Sequence, residues 1–208
     1  MNFNPIKNII FDLGAVIINI DVPLAYKAFS SLNNQSVEEI KKKFEASGIN
    51  QEYEKGNIND ADFLNSIRKE LGINATDSQI TDAWNALLMD LPEERIERIR
   101  QLRTKYNLYL LSNTNIIHIN SINNILQKNF GIESIKHMFD KAYLSYEIGL
   151  IKPYEDIYEY VLKDSNLNKE ETVFLDDNAD NIKGADKVGI HTIHVTAPHT
   201  MIELLTNA

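Results

Sequence analysis

The chain predicts an α/β fold, a Rossmann-like parallel sheet flanked by helices with an α-helical cap inserted just after the first strand. Three observations carry that prediction. Two short apolar runs end abruptly in acids: Ile6-Lys7-Asn8-Ile9-Ile10-Phe11 before Asp12-Leu13-Gly14, and Thr172-Val173-Phe174-Leu175 before Asp176-Asp177. From Pro92 onward, helical periodicity alternates with further short apolar runs, which is the grammar of βαβ units. Between these regions lies a long stretch with helical periodicity and no convincing buried strand. The expected core is therefore residues 1–19 with 91–208, and the expected cap is residues 20–90.

Taken in order, the first strand runs to Phe11, and Ala15-Val16-Ile17-Ile18 briefly continues the apolar pattern beyond Asp12. Three helical faces follow in the cap: Leu24, Ala28, Phe29 and Leu32; Phe63, Leu64, Ile67 and Leu71; and Ile80, Ala83, Trp84, Leu87 and Leu88. Ser36 with Glu39, and Thr76 with Gln79, fit capping boxes, while Gly72 suits the end of a helix that begins near Asn59. Pro92 suits the first turn of a helix carrying Ile96, Ile99 and Leu102. Strands are then expected at Leu108–Leu111, Lys141–Tyr146, Thr172–Leu175 and His191–Val195. A helix carrying Tyr154, Ile157, Tyr158, Val161 and Leu162 falls among them. Internal repeats and low-complexity tracts are absent.

Composition narrows the function. The 208 residues, 43% hydrophobic, suffice for one large domain or a core plus a small insert. A formal charge of −9 argues against nucleic-acid or anionic-membrane binding, since both need basic patches. With no cysteine there can be neither disulfides nor thiolate metal sites, which fits a reducing compartment. Met1-Asn2-Phe3-Asn4-Pro5 is not a basic segment leading into an apolar run, and no stretch approaches the roughly 18 apolar residues of a bilayer span. The expectation is a cytoplasmic monomer whose partner is a small molecule.

The residues at the strand ends point to chemistry. Adjacent carboxylates at the mouth of an apolar strand repel unless a positive group lies beside them, and ligands of open parallel sheets bind outside the carboxyl ends of the strands. Asp12, Asp176 and Asp177 could thus converge on one hard cation held by oxygens. Four strand-end sites stand in order: Asp12-Leu13-Gly14, Ser112-Asn113, Lys152-Pro153, and Asp176-Asp177 with Asn181. Phosphoryl transfer needs a nucleophile, hydrogen-bond donors, a cation beside the phosphate oxygens and usually a divalent metal. Asp12, Ser112 with the backbone after it, Lys152 and Asp177 are the respective candidates. Asp176–Asn181 superficially fits a calcium-binding loop, but Asn181 replaces the turn glycine and Lys187 the bidentate Glu. His191 and His194 would face opposite sides of a strand and make a poor metal pair.

These motifs resemble those of the haloacid dehalogenase superfamily of aspartate-nucleophile hydrolases, mostly phosphatases, along nearly the whole chain. Phe11-Asp12-Leu13-Gly14-Ala15-Val16, Leu111-Ser112-Asn113, Lys152-Pro153 and Leu175-Asp176-Asp177-Asn178 through Asn181 carry the resemblance. Tyr53-Glu54-Lys55-Gly56-Asn57-Ile58 and Ser112-Asn113-Thr114-Asn115 are similar to the subgroup containing bacterial α-glucose-1-phosphate phosphatases. The resemblance implies a Mg²⁺-dependent phosphatase working through an aspartyl-phosphate, on a sugar phosphate such as α-glucose 1-phosphate. Asp12 would be nucleophile and metal ligand, with the Gly14 carbonyl and Asp177 as further ligands. Ser112, Asn113 and Lys152 would bind the phosphoryl group, and Asp176 and Asn181 would support the metal shell. In one respect the chain departs from the pattern: the acid/base Asp usual two positions after the nucleophile is Gly14 here. A metal-bound water, a cap residue or Asp21 could substitute. The alternatives are a 2-haloacid dehalogenase, insensitive to EDTA, and a phosphate-binding regulator without turnover.

Overall fold

A computed structural model describes residues 3–206 and 208. Met1, Asn2 and Asn207, which fall inside the expected core ranges, lie outside the described residues. The chain begins with strand β1 (Asn8–Phe11) and passes through five helices, α1 (Val22–Ser31), α2 (Val37–Ser47), α3 (Ile49–Glu54), α4 (Asp60–Leu71) and α5 (Asp77–Asn85). It returns through α6 (Glu93–Leu102) to β2 (Asn107–Ser112), then α7 (Ile116–Phe130), β3 (Lys141–Leu144), α8 (Ser145–Ile148) and α9 (Glu155–Asp164). The last elements are β4 (Thr172–Asp176), α10 (Ala179–Val188), β5 (His191–His194) and α11 (Met201–Leu204). Among the described residues no helix is long and apolar enough to cross a membrane.

All five strands pair in parallel in the order β3-β2-β1-β4-β5. Successive residues of each strand feed opposite faces, and both faces are covered, which is why the strands read as continuous apolar runs. Ile9, Phe11, Leu108, Leu110, Val173 and Leu175 pack under α6, α7 and α11. Ile10, Tyr109, Leu111 and Phe174 pack under α9 and α10. The chain leaves β1 toward β2 and β3 on one side and later returns to β4 and β5 on the other, so the topology reverses between β1 and β4. A ligand crevice belongs there, at the carboxyl ends.

Helices α1–α5 enclose a separate hydrophobic cluster built on Phe29, Phe44, Tyr53, Phe63 and Trp84, which Ile117 in the first turn of α7 also joins. Its boundaries follow local rules: Ser36 and Thr76 form the expected capping boxes, Asn59 caps α4, and Gly72 closes it in the left-handed conformation at φ +66°. The buried face of α1 is Ala25, Tyr26 and Phe29. Leu24, Ala28 and Leu32 of the expected face are only half-buried. The aromatic rings decide this, because Tyr26 and Phe29 both meet Phe44, and Phe29 stacks on Trp84.

Three other expectations change in detail. Ala15–Ile18 does not extend the strand: the N–H groups of Ile17 and Ile18 both donate to the Leu13 carbonyl, and Ala15 has φ +55°, so the chain folds back over the strand end. The strand expected over 141–146 stops at Leu144, where the buried Ser145 hydroxyl accepts from Thr114 N–H and donates to Thr114 O. Pro92 is the extended residue capping α6 rather than part of its first turn.

Candidate active site

The sheet register sets the site. Phe11 pairs with Leu110 on one side and Leu175 on the other, so Asp12 emerges level with the ends of β2 and β4. Its N–H donates to Leu175 O at 2.9 Å. Beside it Lys152, on the loop before α9, is buried and fully engaged. Its Nζ donates to Asp12 Oδ1 at 2.6 Å, to Asp176 Oδ2 at 2.6 Å and to the Leu111 carbonyl at 3.0 Å. Three strand ends are thereby tied to one ammonium.

Secondary contacts aim that ammonium. Asn113 brackets the Lys152 backbone: its Nδ2 donates to Lys152 O at 3.0 Å and its Oδ1 accepts from Lys152 N–H at 2.9 Å. Asp176 accepts from Asn181 Nδ2 at 3.0 Å on each oxygen and from Asn178 N–H at 2.8 Å. Asn181 is itself fixed through its carbonyl by the Tyr158 hydroxyl at 2.8 Å. Gly184 lets α10 close over the same loop, since a Cβ there would lie 2.2 Å from the Pro153 carbonyl oxygen.

Charge does not balance within the protein. Burial pushes the Asp12 carboxyl up to about 7, with Asp176 adding to the rise and Lys152 opposing it. Burial by itself would pull Lys152 down, but Asp12 and Asp176 overcome it and hold the ammonium above its ordinary value. Asp177 is raised by desolvation and then by Asp176. Asp12, Asp176 and Asp177 each offer an oxygen within 4.8 Å of the others. One ammonium among three clustered carboxylates leaves excess negative charge, and the donor set is all hard oxygen. Both properties fit a divalent cation of the Mg²⁺ kind.

Two adjoining hollows open from these residues. A polar one of about 380 Å³ is lined by Asp12, Gly14, Ser112, Asn113, Lys152, Asp177 and Asn181. A second, of about 180 Å³, shares Gly14, Ser112 and Asn113 and extends under the helical unit to Tyr26, Phe44, Asn50, Glu54, Trp84 and His118.

The structure brings together all eight site residues expected from sequence, with two differences of detail. The Asn113 side chain is committed to the Lys152 backbone. Asp176 spends one oxygen on the Lys152 ammonium, and Asn181 donates to both oxygens of Asp176. The Gly14 carbonyl accepts from Val16 N–H at 2.6 Å, which still leaves it a lone pair. Asp21 precedes α1 without a side-chain capping hydrogen bond and lines neither hollow.

Sequence reasoning allowed a cap residue as the substitute acid but singled out neither Glu54 nor His118. His118 is buried, with Asn115 Nδ2 at 3.1 Å from Nδ1 and Trp84 O at 3.4 Å from Nε2, and burial pulls it down to about 4. Burial pushes Glu54 up to about 7, against an Asn50 hydrogen bond and the pull of Lys152. An acid ending a short helix just before Gly56 was the available signal for Glu54; nothing in the spacing marked His118.

A family model described as haloacid dehalogenase-like hydrolase matches residues 6–189. The chain is 33% identical over 189 residues to the D-ribitol-5-phosphate phosphatase of Bacteroides thetaiotaomicron, covering 90% of each chain. Among solved structures it is similar to a HAD family enzyme from Bacteroides thetaiotaomicron in complex with magnesium and inorganic phosphate. That match has 37% identity and a TM-score of 0.85, over 96% of this chain and 98% of the other. A HAD-like family hydrolase from Porphyromonas gingivalis matches at 30% identity and a TM-score of 0.87, over 97% of each chain.

Proposed function

The chain belongs to the haloacid dehalogenase-like hydrolases, and within that family we propose that it is a Mg²⁺-dependent phosphatase of small polyol or sugar phosphates, working through an aspartyl-phosphate on Asp12. One observation carries the reading: Lys152 Nζ bridges Asp12 and Asp176 at the mouth of a hollow that Ser112 and Asp177 also line. The ammonium neutralises the nucleophile and can face the incoming phosphate oxygens, while an acid cluster beside it attracts the metal.

Asp12, the Gly14 carbonyl and Asp177 would hold Mg²⁺, which supplies charge neutralisation and orientation of the phosphoryl group when bound. An Asp12 carboxylate oxygen attacks phosphorus, and the bond from phosphorus to the ester oxygen breaks. The Ser112 hydroxyl and the Asn113 N–H donate to the transferring oxygens, and Lys152 offsets the charge that accumulates. Water then attacks the phosphoryl group on Asp12 and frees inorganic phosphate. Residues 20–90 act as the cap, whose hydrophobic cluster reaches α7 and covers the deeper hollow, keeping bulk water from the intermediate.

The substrate class follows from that hollow and from the relative. A space of about 180 Å³ takes a chain of a few carbons, and the relative's name specifies a five-carbon polyol 5-phosphate. That moves the preferred substrate away from the α-glucose 1-phosphate expected from sequence, toward a primary alcohol phosphate. The test is phosphate release from ribitol 5-phosphate, pentose and hexose phosphates and glucose 1-phosphate, with Mg²⁺ and with EDTA. Selective Mg²⁺-dependent release from polyol or pentose phosphates supports the reading, and Asp12→Asn removes it while leaving the fold intact. Halide release from a 2-haloacid that persists in EDTA would replace it with the dehalogenase.

A further inference from the structure

The function just proposed creates a chemical demand. A primary alcohol leaves phosphorus poorly unless it receives a proton, and Gly14 stands where a proton donor would be expected. We infer that Glu54, carried by the helical cap, is the general acid and base of both half-reactions. This inference rests on the phosphatase reading of Asp12.

Glu54 is the last residue of α3 and lines the deeper hollow opposite Gly14, Ser112 and Asn113. It is the carboxylic acid on that wall, and it lies close enough to Lys152 for the ammonium to act on it. Asn50, one helical turn earlier, lies near enough to oppose the rise in its pKa. The segment is pinned on both sides. The Tyr53 ring stacks on Phe63 at 4.2 Å between centroids, and its hydroxyl donates to Asp60 Oδ1 at 2.7 Å. Two residues after Glu54, Gly56 has φ +70° and presses against the core, where a Cβ would lie 2.3 Å from the Tyr146 carbonyl oxygen. A side chain would obstruct that approach, so the glycine sets how closely Glu54 can come to the site.

Trp84 and Asn50 also line the hollow, and Trp84 Nε1 and Asn50 Oδ1 are buried without partners. The other titratable groups facing the hollow are Tyr26 and His118 from the cap and core, with Lys152 beyond. His118 is excluded as the donor because it is held neutral and its ring nitrogens are engaged by Asn115 and Trp84. Burial that places Glu54 near neutrality lets it give and regain a proton at little cost.

The steps balance. As Asp12 bonds phosphorus, the ester bond breaks, its electron pair goes to the alcohol oxygen, and Glu54 gives that oxygen its proton. The Glu54 carboxylate then takes a proton from the attacking water as the bond between Asp12 and phosphorus breaks. Asp12 and protonated Glu54 are restored, with one alcohol and one phosphate released.

The experiment compares wild type and Glu54→Gln on a primary alkyl phosphate and on 4-nitrophenyl phosphate, whose leaving group needs no proton. Turnover of the alkyl ester is expected to fall about 10²–10³-fold. The first-turnover burst of nitrophenol should fall by less than about tenfold, followed by a slow steady state as the intermediate accumulates. The alkaline limb of kcat/KM on the alkyl ester should disappear, and Glu54→Asp should recover part of the rate. Equal losses on both esters, or alkyl turnover within about threefold of wild type, would overturn the role of Glu54. Absence of phosphate release by the wild-type protein on either ester would instead remove the phosphatase reading and the inference with it.

Discussion

Lys152→Met tests the central geometric claim, that one buried ammonium holds the strand ends together. Lys152 is 3% exposed and Asp176 fully buried, and the side chain makes three hydrogen bonds of 2.6–3.0 Å. Methionine matches the volume but removes the charge while both carboxylates stay. Stripping one partner from a buried ion pair costs about 3–5 kcal/mol, because the remaining charge is left uncompensated. The sign with pH follows from Asp12. Its folded pKa is raised to about 7 from 3.8, so its contribution to stability is complete below 3.8 and is lost as pH rises through about 7. Without Lys152, which lowers that pKa, the loss continues to higher pH. In EDTA the variant should therefore be about 3–5 kcal/mol less stable at pH 8.5 and at least about 1 kcal/mol closer to wild type at pH 5.5. Urea unfolding followed by circular dichroism and by Trp84 fluorescence measures this, and coincident transitions check two-state behaviour. A loss below about 1 kcal/mol at both pH values, or a larger loss at acid pH, would refute the reasoning.

Two further outcomes are expected. Gly184→Ala should destabilise the fold by about 1–3 kcal/mol despite alanine's better helix propensity, since the new Cβ meets backbone at Pro153 and the Tyr158 ring at 2.9 Å. By shifting the Lys152 loop it should also reduce phosphate release, and a variant with unchanged unfolding midpoint and turnover would contradict the close approach. His118, with its folded pKa lowered to about 4 from 6.5, contributes stability that is complete above 6.5 and is lost as pH falls through about 4. His118→Gln should flatten the acid side of the stability profile between those values, and an unchanged profile would show that protonation of His118 is not linked to unfolding.

Much of this protein was legible in its sequence because local physics carries it. Capping boxes at Ser36 and Thr76 and the left-handed glycine at 72 depend on neighbours within four residues. The strands announced themselves because a parallel sheet covered on both faces admits few polar residues, so Asp12 and Asp176 stood out at their ends. The resemblance then ordered Asp12, Ser112, Lys152 and Asp177 into one site.

Tertiary structure decided what depends on distant partners. That Tyr26 rather than Leu24 faces inward on α1 was settled by Phe44, fifteen or more residues away. That Asn113 grips a backbone instead of offering its amide was settled by the loop at Lys152, 39 residues later. Two residues lining the second hollow were the least legible. Glu54 and His118 owe their shifted pKa values to burial between two units of the chain, and burial is a property of the packed molecule rather than of any segment. Sequence alone determined which strand ends would carry charge; only packing determined that burial would raise the Glu54 carboxyl near them.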